Sequence, residues 1–439
     1  MQSNETTYDV VIIGGGPTGA TAATLLADAG RKVLVAERTR YPRFHIGESL
    51  MPETYWVFKR LGLLPRLKQS NFVRKYSVQF VTASGKESQP FYFDEMNPHE
   101  CSVTWQVVRS EFDKMMLDNA AEHGAEVWEE TNVTDVTLEP ADNDDLPRAT
   151  GVTLQRKGHA PQKINCKVVI DATGTNAMLA RKLGIKEPDP NLRKASLFAH
   201  YKGARRDAGK DEGATLVLST KDQDGWFWYI PLPDDIVSVG VVGEIDRLIT
   251  DRTTSPEQTL EEEIQNCLSL IPRMENAQRV SPVHVLSDFS YRARRCAGEG
   301  WVLVGDAFGF LDPMYSSGVF LALKSGEMAA DAINEALEKN DFSPARLGAW
   351  GPQLSDGMTS IRKLVYAFYT RDFSFGKFMR MHPEMKQNLV DLLIGNVFRD
   401  GVNDIFEPMS ESVMIPPAIP LETSTSEHVP VQVTDTARA

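Results

Sequence analysis

A glycine run near the start of the chain, Gly14-Gly-Gly16-Pro-Thr-Gly19, sits between two short apolar stretches. Asp9-Val-Val-Ile-Ile13 before it reads as a buried strand, the Ala-rich stretch to Ala29 after it as a helix, and Lys32-Val-Leu-Val-Ala36 as a second strand. In this order the run fits GxGxxG inside a βαβ unit that binds a dinucleotide. Gly14 permits the tight turn, Gly16 lets the backbone approach a pyrophosphate, and Gly19 lets helix and strand pack closely. The start of the helix, around Thr18, offers unpaired N–H groups and a positive dipole end to the phosphates. Glu37 closes the second strand, where a carboxylate accepts ribose hydroxyls, and Arg38 follows it. The unit by itself leaves NAD and FAD equally open.

Of the 439 residues, 47 are basic and 60 acidic, a formal charge of −13, which argues against a general nucleic-acid or anionic-membrane surface and for a small ligand. Cys101, Cys166, Cys267 and Cys296 form no CxxC pair, so reduced thiols are expected and neither a metal site nor a disulfide framework is signalled. The polar start from Gln2 to Glu5 does not resemble a secretory signal, and no run of about twenty apolar residues predicts a membrane span. A cytoplasmic protein is the expectation.

The pattern divides the chain into an FAD-binding or NAD-binding lobe over 1–190 and 285–340, a strand-rich substrate lobe over 191–284, a helical region over 341–405 and a flexible tail over 406–439. Lys167-Val-Val-Ile-Asp171 and Gly300-Trp-Val-Leu-Val-Gly-Asp306 read as further buried strands of the nucleotide lobe.

Two segments separate FAD from NAD. Asp171-Ala-Thr-Gly174 and Gly305-Asp306-Ala307 resemble the paired flavin motifs of the FAD-dependent monooxygenase class. That resemblance implies an α/β fold with a Rossmann-like FAD-binding domain of the glutathione-reductase/PHBH type, an interleaved β-sheet lobe and a helical C-terminal region. It also implies that Asp306 meets the ribityl or pyrophosphate part of FAD and that Arg109 lies near the phosphates. There is no second GxGxxG for a nicotinamide nucleotide, so a separate flavin reductase is expected to supply reduced FAD.

Three further segments carry a narrower resemblance. Trp226-Phe-Trp228-Tyr-Ile230-Pro231 fits WxWxIP, and Phe310-Leu-Asp-Pro313-Met-Tyr-Ser316-Ser-Gly318 fits Fx.Px.Sx.G. The third is Phe72-Val-Arg-Lys75-Tyr, preceded by Arg43-Phe-His-Ile-Gly-Glu48-Ser-Leu-Met-Pro52. Over roughly residues 5 to 380 the chain resembles the flavin-dependent halogenases. The resemblance implies that reduced FAD and O2 oxidise chloride or bromide to hypohalous acid, which a lysine at a separate site directs onto an aromatic substrate, free or carrier-protein-bound. Lys75 is the candidate lysine, with Arg74 as a nearby charge, and Ser316 is expected to hydrogen-bond toward it. Pro313, Ser317 and Gly318 are expected to run past the flavin, with the N–H groups of Ser317 and Gly318 available to a halide. Trp226 and Trp228 are expected to face the flavin together.

Read without the resemblance, the same residues have simpler roles. Lys75 is then a solvated surface charge, the tryptophans are core, and Ser316 or Ser317 is an N-cap. Tryptophan halogenases carry a glutamate where this chain has Tyr315, so the resemblance points to phenol or pyrrole substrates rather than free tryptophan. The alternatives are an FAD monooxygenase or a geranylgeranyl-reductase-like enzyme without halide chemistry, and a flavin-binding scaffold without turnover. Arg292, Arg294 and Arg295 are a candidate basic patch for a carrier protein, or solvated loop charges.

Overall fold

The computed structural model describes residues 7–95, 97–141 and 144–422; the polar start at Gln2 to Glu5 and the tail from 423 lie outside the described residues. Strand Thr7–Ile13 leads into the glycine turn because Val10, Val11 and Ile12 have no exposed surface on either face, the condition of a central parallel strand. Val33–Ala36 pairs with it on one side and Gln162–Asp171 on the other, and Glu126–Trp128 and Trp301–Leu303 extend the parallel sheet outward. Helix Pro17–Asp28 begins with proline at its first turn, where no N–H is missed. It lies so close to the strand that a β-carbon on Gly19 would stand 2.0 Å from the Gly14 carbonyl oxygen. Helix Ser317–Lys339 covers the same helix, with Gly326 against the carbonyl of Thr18.

The second sheet is built on Lys194–Lys202, Ile236–Glu244, Gly225–Pro231 and Thr215–Ser219, each antiparallel to the next. Side chains on Gly225–Pro231 alternate between two cores: Trp226, Trp228 and Ile230 face the nucleotide lobe, while Phe227 and Tyr229 face a separate core with Leu216, Leu260 and Ile264.

The second sheet also takes in residues outside the expected 191–284 lobe. Ser77–Val81 leaves the first segment to pair parallel with Thr215–Ser219, and His284–Ser287 stays with the second sheet beside Lys194–Lys202. The tail expected from 406 is corrected as far as 422. Phe406 and Met409 are buried, and the carbonyls of Pro417, Ile419 and Pro420 accept from Arg362 and Arg292. No helix among the described residues is long and apolar enough to cross a membrane.

Gly19→Ala is expected to cost about 1–3 kcal/mol of unfolding free energy by forcing the helix off the strand, and to weaken FAD binding with it. Urea unfolding and flavin fluorescence titration check the two effects.

Candidate active site

Between the two sheets lies a cavity of about 830 Å³, running from Gly14, Gly16, Thr18, Glu37 and Arg38 to Trp226, Trp228 and Ile230. Glu37 is fixed by its own loop: it accepts from the N–H of Gly15 at 2.8 Å and from Thr39 N–H and Oγ1 at 2.8 and 2.6 Å. Arg109 is buried, and its guanidinium grips Asp113 at 2.7 and 3.0 Å while holding the carbonyls of Ile46 and Gly47. Arg43 donates to the same Asp113 at 2.9 Å, so two guanidiniums share one carboxylate and this trio holds one positive charge in excess beside the glycine turn. Asp306 faces the cavity with no hydrogen bond to its carboxylate among the described residues; burial pushes it up to about 6, against the pull of Arg109. The site therefore combines a glycine cradle open to phosphate, net positive charge beside it, a pre-set ribose acceptor and a second free acceptor. That donor set fits FAD.

Further along the wall, Trp226 and Trp228 lie with ring centroids 6.3 Å apart. Each indole N–H is satisfied behind the wall, Trp226 by the Tyr369 hydroxyl at 2.9 Å and Trp228 by Ser238 Oγ at 3.1 Å. Tyr369 in turn donates to Asp312 at 3.0 Å, whose carboxyl burial pushes up to about 6. Ser316 sits on the cavity wall in the left-handed region, φ 58°, and makes no side-chain cap bond to the helix that starts at Ser317. Ser317 and Gly318 are the first residues of that helix, so their N–H groups have no intrahelical acceptor. Tyr315 turns away, its hydroxyl donating to the Leu364 carbonyl at 3.2 Å.

Lys75 is 4 % exposed. Its Nζ donates to Ser49 Oγ at 2.9 Å and to the Leu50 carbonyl at 3.0 Å, with the Phe93 ring 5.6 Å away. Desolvation pulls the amine down to about 7, and no carboxylate pairs with it among the described residues. Two expectations are corrected here. Arg74 points away, donating to the Lys68 carbonyl at 2.9 Å over the Trp105 ring, and it contributes no charge to the amine. Ser316 does not bond Lys75; Ser49 holds that place. Ser49 Oγ also lies 2.9 Å from Thr215 Oγ1, and both residues line the cavity, so one hydroxyl separates the buried amine from the flavin side.

The family model of the FAD binding domain matches residues 7–340. A 1H-pyrrole-2-carbonyl-[peptidyl-carrier protein] brominase of Pseudoalteromonas luteoviolacea is 33% identical over 394 residues, covering 89% of this chain and 92% of that protein. The chain belongs to the flavin-dependent halogenases. A 1H-pyrrole-2-carbonyl-[peptidyl-carrier protein] chlorinase of Pseudomonas fluorescens is 29% identical, covering 92% of this chain and 93% of that one. Among solved structures, the flavin-dependent brominase Bmp2 matches with a TM-score of 0.82 at 31% identity, over 92% of this chain and 99% of that one.

For a halogenase, the residues missed from sequence are those that join distant segments. Ser49 and Thr215 stand 166 positions apart, Trp226 and Tyr369 stand 143 apart, and Glu48 meets His200 across 152. Glu48 and Ser49 lie inside the Arg43–Pro52 motif, but nothing in that motif names their partners. The proposed carrier patch is corrected too: Arg292 holds the C-terminal carbonyls, Arg294 pairs with Glu422, and Arg295 pairs with Asp144 and Asp145.

Unfolded, Lys75 titrates at its ordinary 10.5; folded, at about 7. Between those values the folded amine is neutral and the unfolded one protonated, so stability rises with pH across that window, and below it the full cost of the buried charge remains. The unfolding free energy of wild type relative to Lys75→Met should therefore rise by about 3–5 kcal/mol from about pH 6 to about pH 10. Urea unfolding of both proteins at the two pH values checks it.

Proposed function

We propose that the protein chlorinates or brominates a pyrrole ring delivered as a carrier-protein thioester, with Lys75 directing hypohalous acid onto the ring. The observation that carries this reading is the buried, uncharged-prone Lys75 amine, one hydroxyl removed from the flavin cavity. Bound FAD, reduced by a separate flavin reductase, supplies the oxidation of halide by O2. Gly14, Gly16 and Thr18 cradle its pyrophosphate, Gly19 holds the helix against the strand so that they can, Glu37 and Arg38 hold the adenosine end, and Asp306 accepts from the ribityl chain. Arg109, with Arg43, balances the phosphate charge.

The N–H groups of Ser317 and Gly318, beside Pro313, hold the halide. Ser316, with its hydroxyl free of any cap bond, orients the oxidised halogen. Trp226 and Trp228 fill the space beside the cofactor and keep the aromatic substrate from it, so that only a small oxidant passes to Lys75. As a neutral amine Lys75 accepts the halogen or hydrogen-bonds hypohalous acid; a fully charged lysine offers no lone pair. The pyrrole preference is supported by the two pyrrole-2-carbonyl relatives, which match over nearly their whole lengths. Tyr315 supports it as well, because no carboxylate stands there to stabilise a less activated ring.

A phenol is the second reading, favoured by the sulochrin halogenase of Aspergillus terreus, 30% identical over 83% of this chain and 69% of that protein. The test incubates purified protein, a flavin reductase, NADH, O2 and bromide or chloride with pyrrole-2-carboxylate as free acid, the same acid as carrier thioester, and a set of phenols. Halogenation of the thioester alone is expected, with Lys75→Ala reducing it at least about 100-fold. Halogenated phenols with an untouched thioester would replace pyrrole by phenol, and full activity of Lys75→Ala would remove the lysine from the mechanism.

A further inference from the structure

One acidic residue of the cavity wall has no part in the scheme above. Glu48, immediately before Ser49, is 2 % exposed and lines the cavity. Its Oε1 lies 2.6 Å from Nε2 of His200, while its Oε2 is buried and meets no donor among the described residues. Glu48 therefore holds the imidazole through one oxygen and keeps the other as an unfilled acceptor, a buried polar atom that is costly to leave unmet. The imidazole keeps 20% of its side chain exposed. Phe44 stands edge-on to it at 5.7 Å and stacks on His284 at 4.4 Å. The pair thus reaches from solvent at His200 to the cavity at Glu48.

Halide oxidation needs such a path. Reduced FAD as FADH2, O2, X⁻ and one H⁺ give FAD, HOX and H2O: O2 takes two electrons from the flavin and two from the halide, the O–O bond breaks, one oxygen leaves as water and the other bonds the oxidised halogen. The later step, HOX and Ar–H to Ar–X and H2O, neither takes up nor releases a proton overall. One proton per turnover must therefore enter a cavity whose walls at Trp226 and Trp228 are apolar.

We propose that the Glu48–His200 pair carries this proton from solvent to the cavity. Burial alone pulls the His200 imidazole down; the hydrogen bond and charge of Glu48 outweigh it and leave His200 above its ordinary value. His284 is the other titrating neighbour, held below its ordinary value by burial and by His200, with Glu48 opposing. Arg109 acts on the preceding residue by holding the Gly47 carbonyl, and Lys75 reaches the segment through Ser49.

Three measurements test the pair, none needing an aromatic substrate, so the outcome is independent of the pyrrole assignment. In flavin-free protein, ring-¹⁵N NMR titration should place His200 lower in Glu48→Gln than in wild type, because the hydrogen bond and charge that raise it are lost. With reduced FAD, O2 and bromide, Glu48→Gln should yield about 100-fold less trapped hypobromous acid than wild type and release H2O2 in its place, while binding FAD as wild type does. Imidazole added to His200→Ala should restore the yield at least about tenfold. An unshifted His200 titration, a wild-type hypobromous acid yield in Glu48→Gln, or no rescue by imidazole would each overturn the proposal. Loss of FAD affinity in both Glu48→Gln and His200→Gln would overturn it as well, by assigning the pair to cofactor binding.

Discussion

The Lys75 amine has two acceptors, and both belong to one short stretch of chain, Ser49 and Leu50. That stretch is itself pinned from two sides. Val107 N–H donates to the Glu48 carbonyl and Leu50 N–H to the Trp105 carbonyl, so residues 48–50 add to the edge of strand Thr104–Gln106. From the other side, Thr215 of the second sheet meets Ser49 Oγ, and Gln106 Nε2 donates to Thr215 Oγ1 at 2.8 Å. The segment is thereby the seam between the nucleotide lobe and the substrate lobe. A buried lysine without a carboxylate costs stability. Here that cost keeps the amine near neutrality with a donor geometry fixed by two neutral acceptors, an arrangement that a salt bridge would abolish by holding the charged form.

The same seam stands between the buried Lys75 amine and the cavity. On the flavin side the wall is built to satisfy its polar groups from behind: Trp226 through Tyr369 and Asp312, Trp228 through Ser238. Their rings can face the cavity without an indole N–H competing for a ligand. The strand Gly225–Pro231 makes this possible because alternate residues face opposite cores. Phe227 and Tyr229 anchor the strand in the second core and leave the tryptophans to line the site.

The glycine turn, the flanking strands and the alternation of Trp226 and Trp228 were legible in the sequence because each is a local pattern with a fixed period. Lys75 was legible only through its flanking motif, since an Arg-Lys pair in a polar stretch gives no sign that one side chain is buried and its neighbour is not. Strand alternation sends Arg74 outward and Lys75 inward, and pairing with Thr104–Gln106 decides which. Ser49, Thr215, His200 and Tyr369 could not be read, because their roles exist only where segments far apart in the chain meet. The place of Ser77–Val81 in the second sheet was hidden for a related reason: it has the composition of any short strand, and only its parallel pairing with Thr215–Ser219 assigns it there. The C-terminal stretch to 422 has the Pro-rich composition of a loose tail, yet Arg292 and Arg362 satisfy its carbonyls.

Tyr315 is tied into its surroundings and is not an independently exchangeable side chain. Its ring is buried, its hydroxyl donates to the Leu364 carbonyl, and burial together with the Asp312 carboxylate drives its phenol well above the ordinary value. A shorter glutamate in that place would leave the Leu364 carbonyl without the hydroxyl it now receives and would bring a second carboxyl group near Asp312 in a dry pocket. The tyrosine fits because helix Gly351–Tyr369 presents a backbone acceptor at this point. Tyr369, which ends the same helix, also holds Trp226, so moving it would disturb the tryptophan wall. The pocket behind Ser316 and the tryptophan wall are therefore held by one helix and pack as one unit.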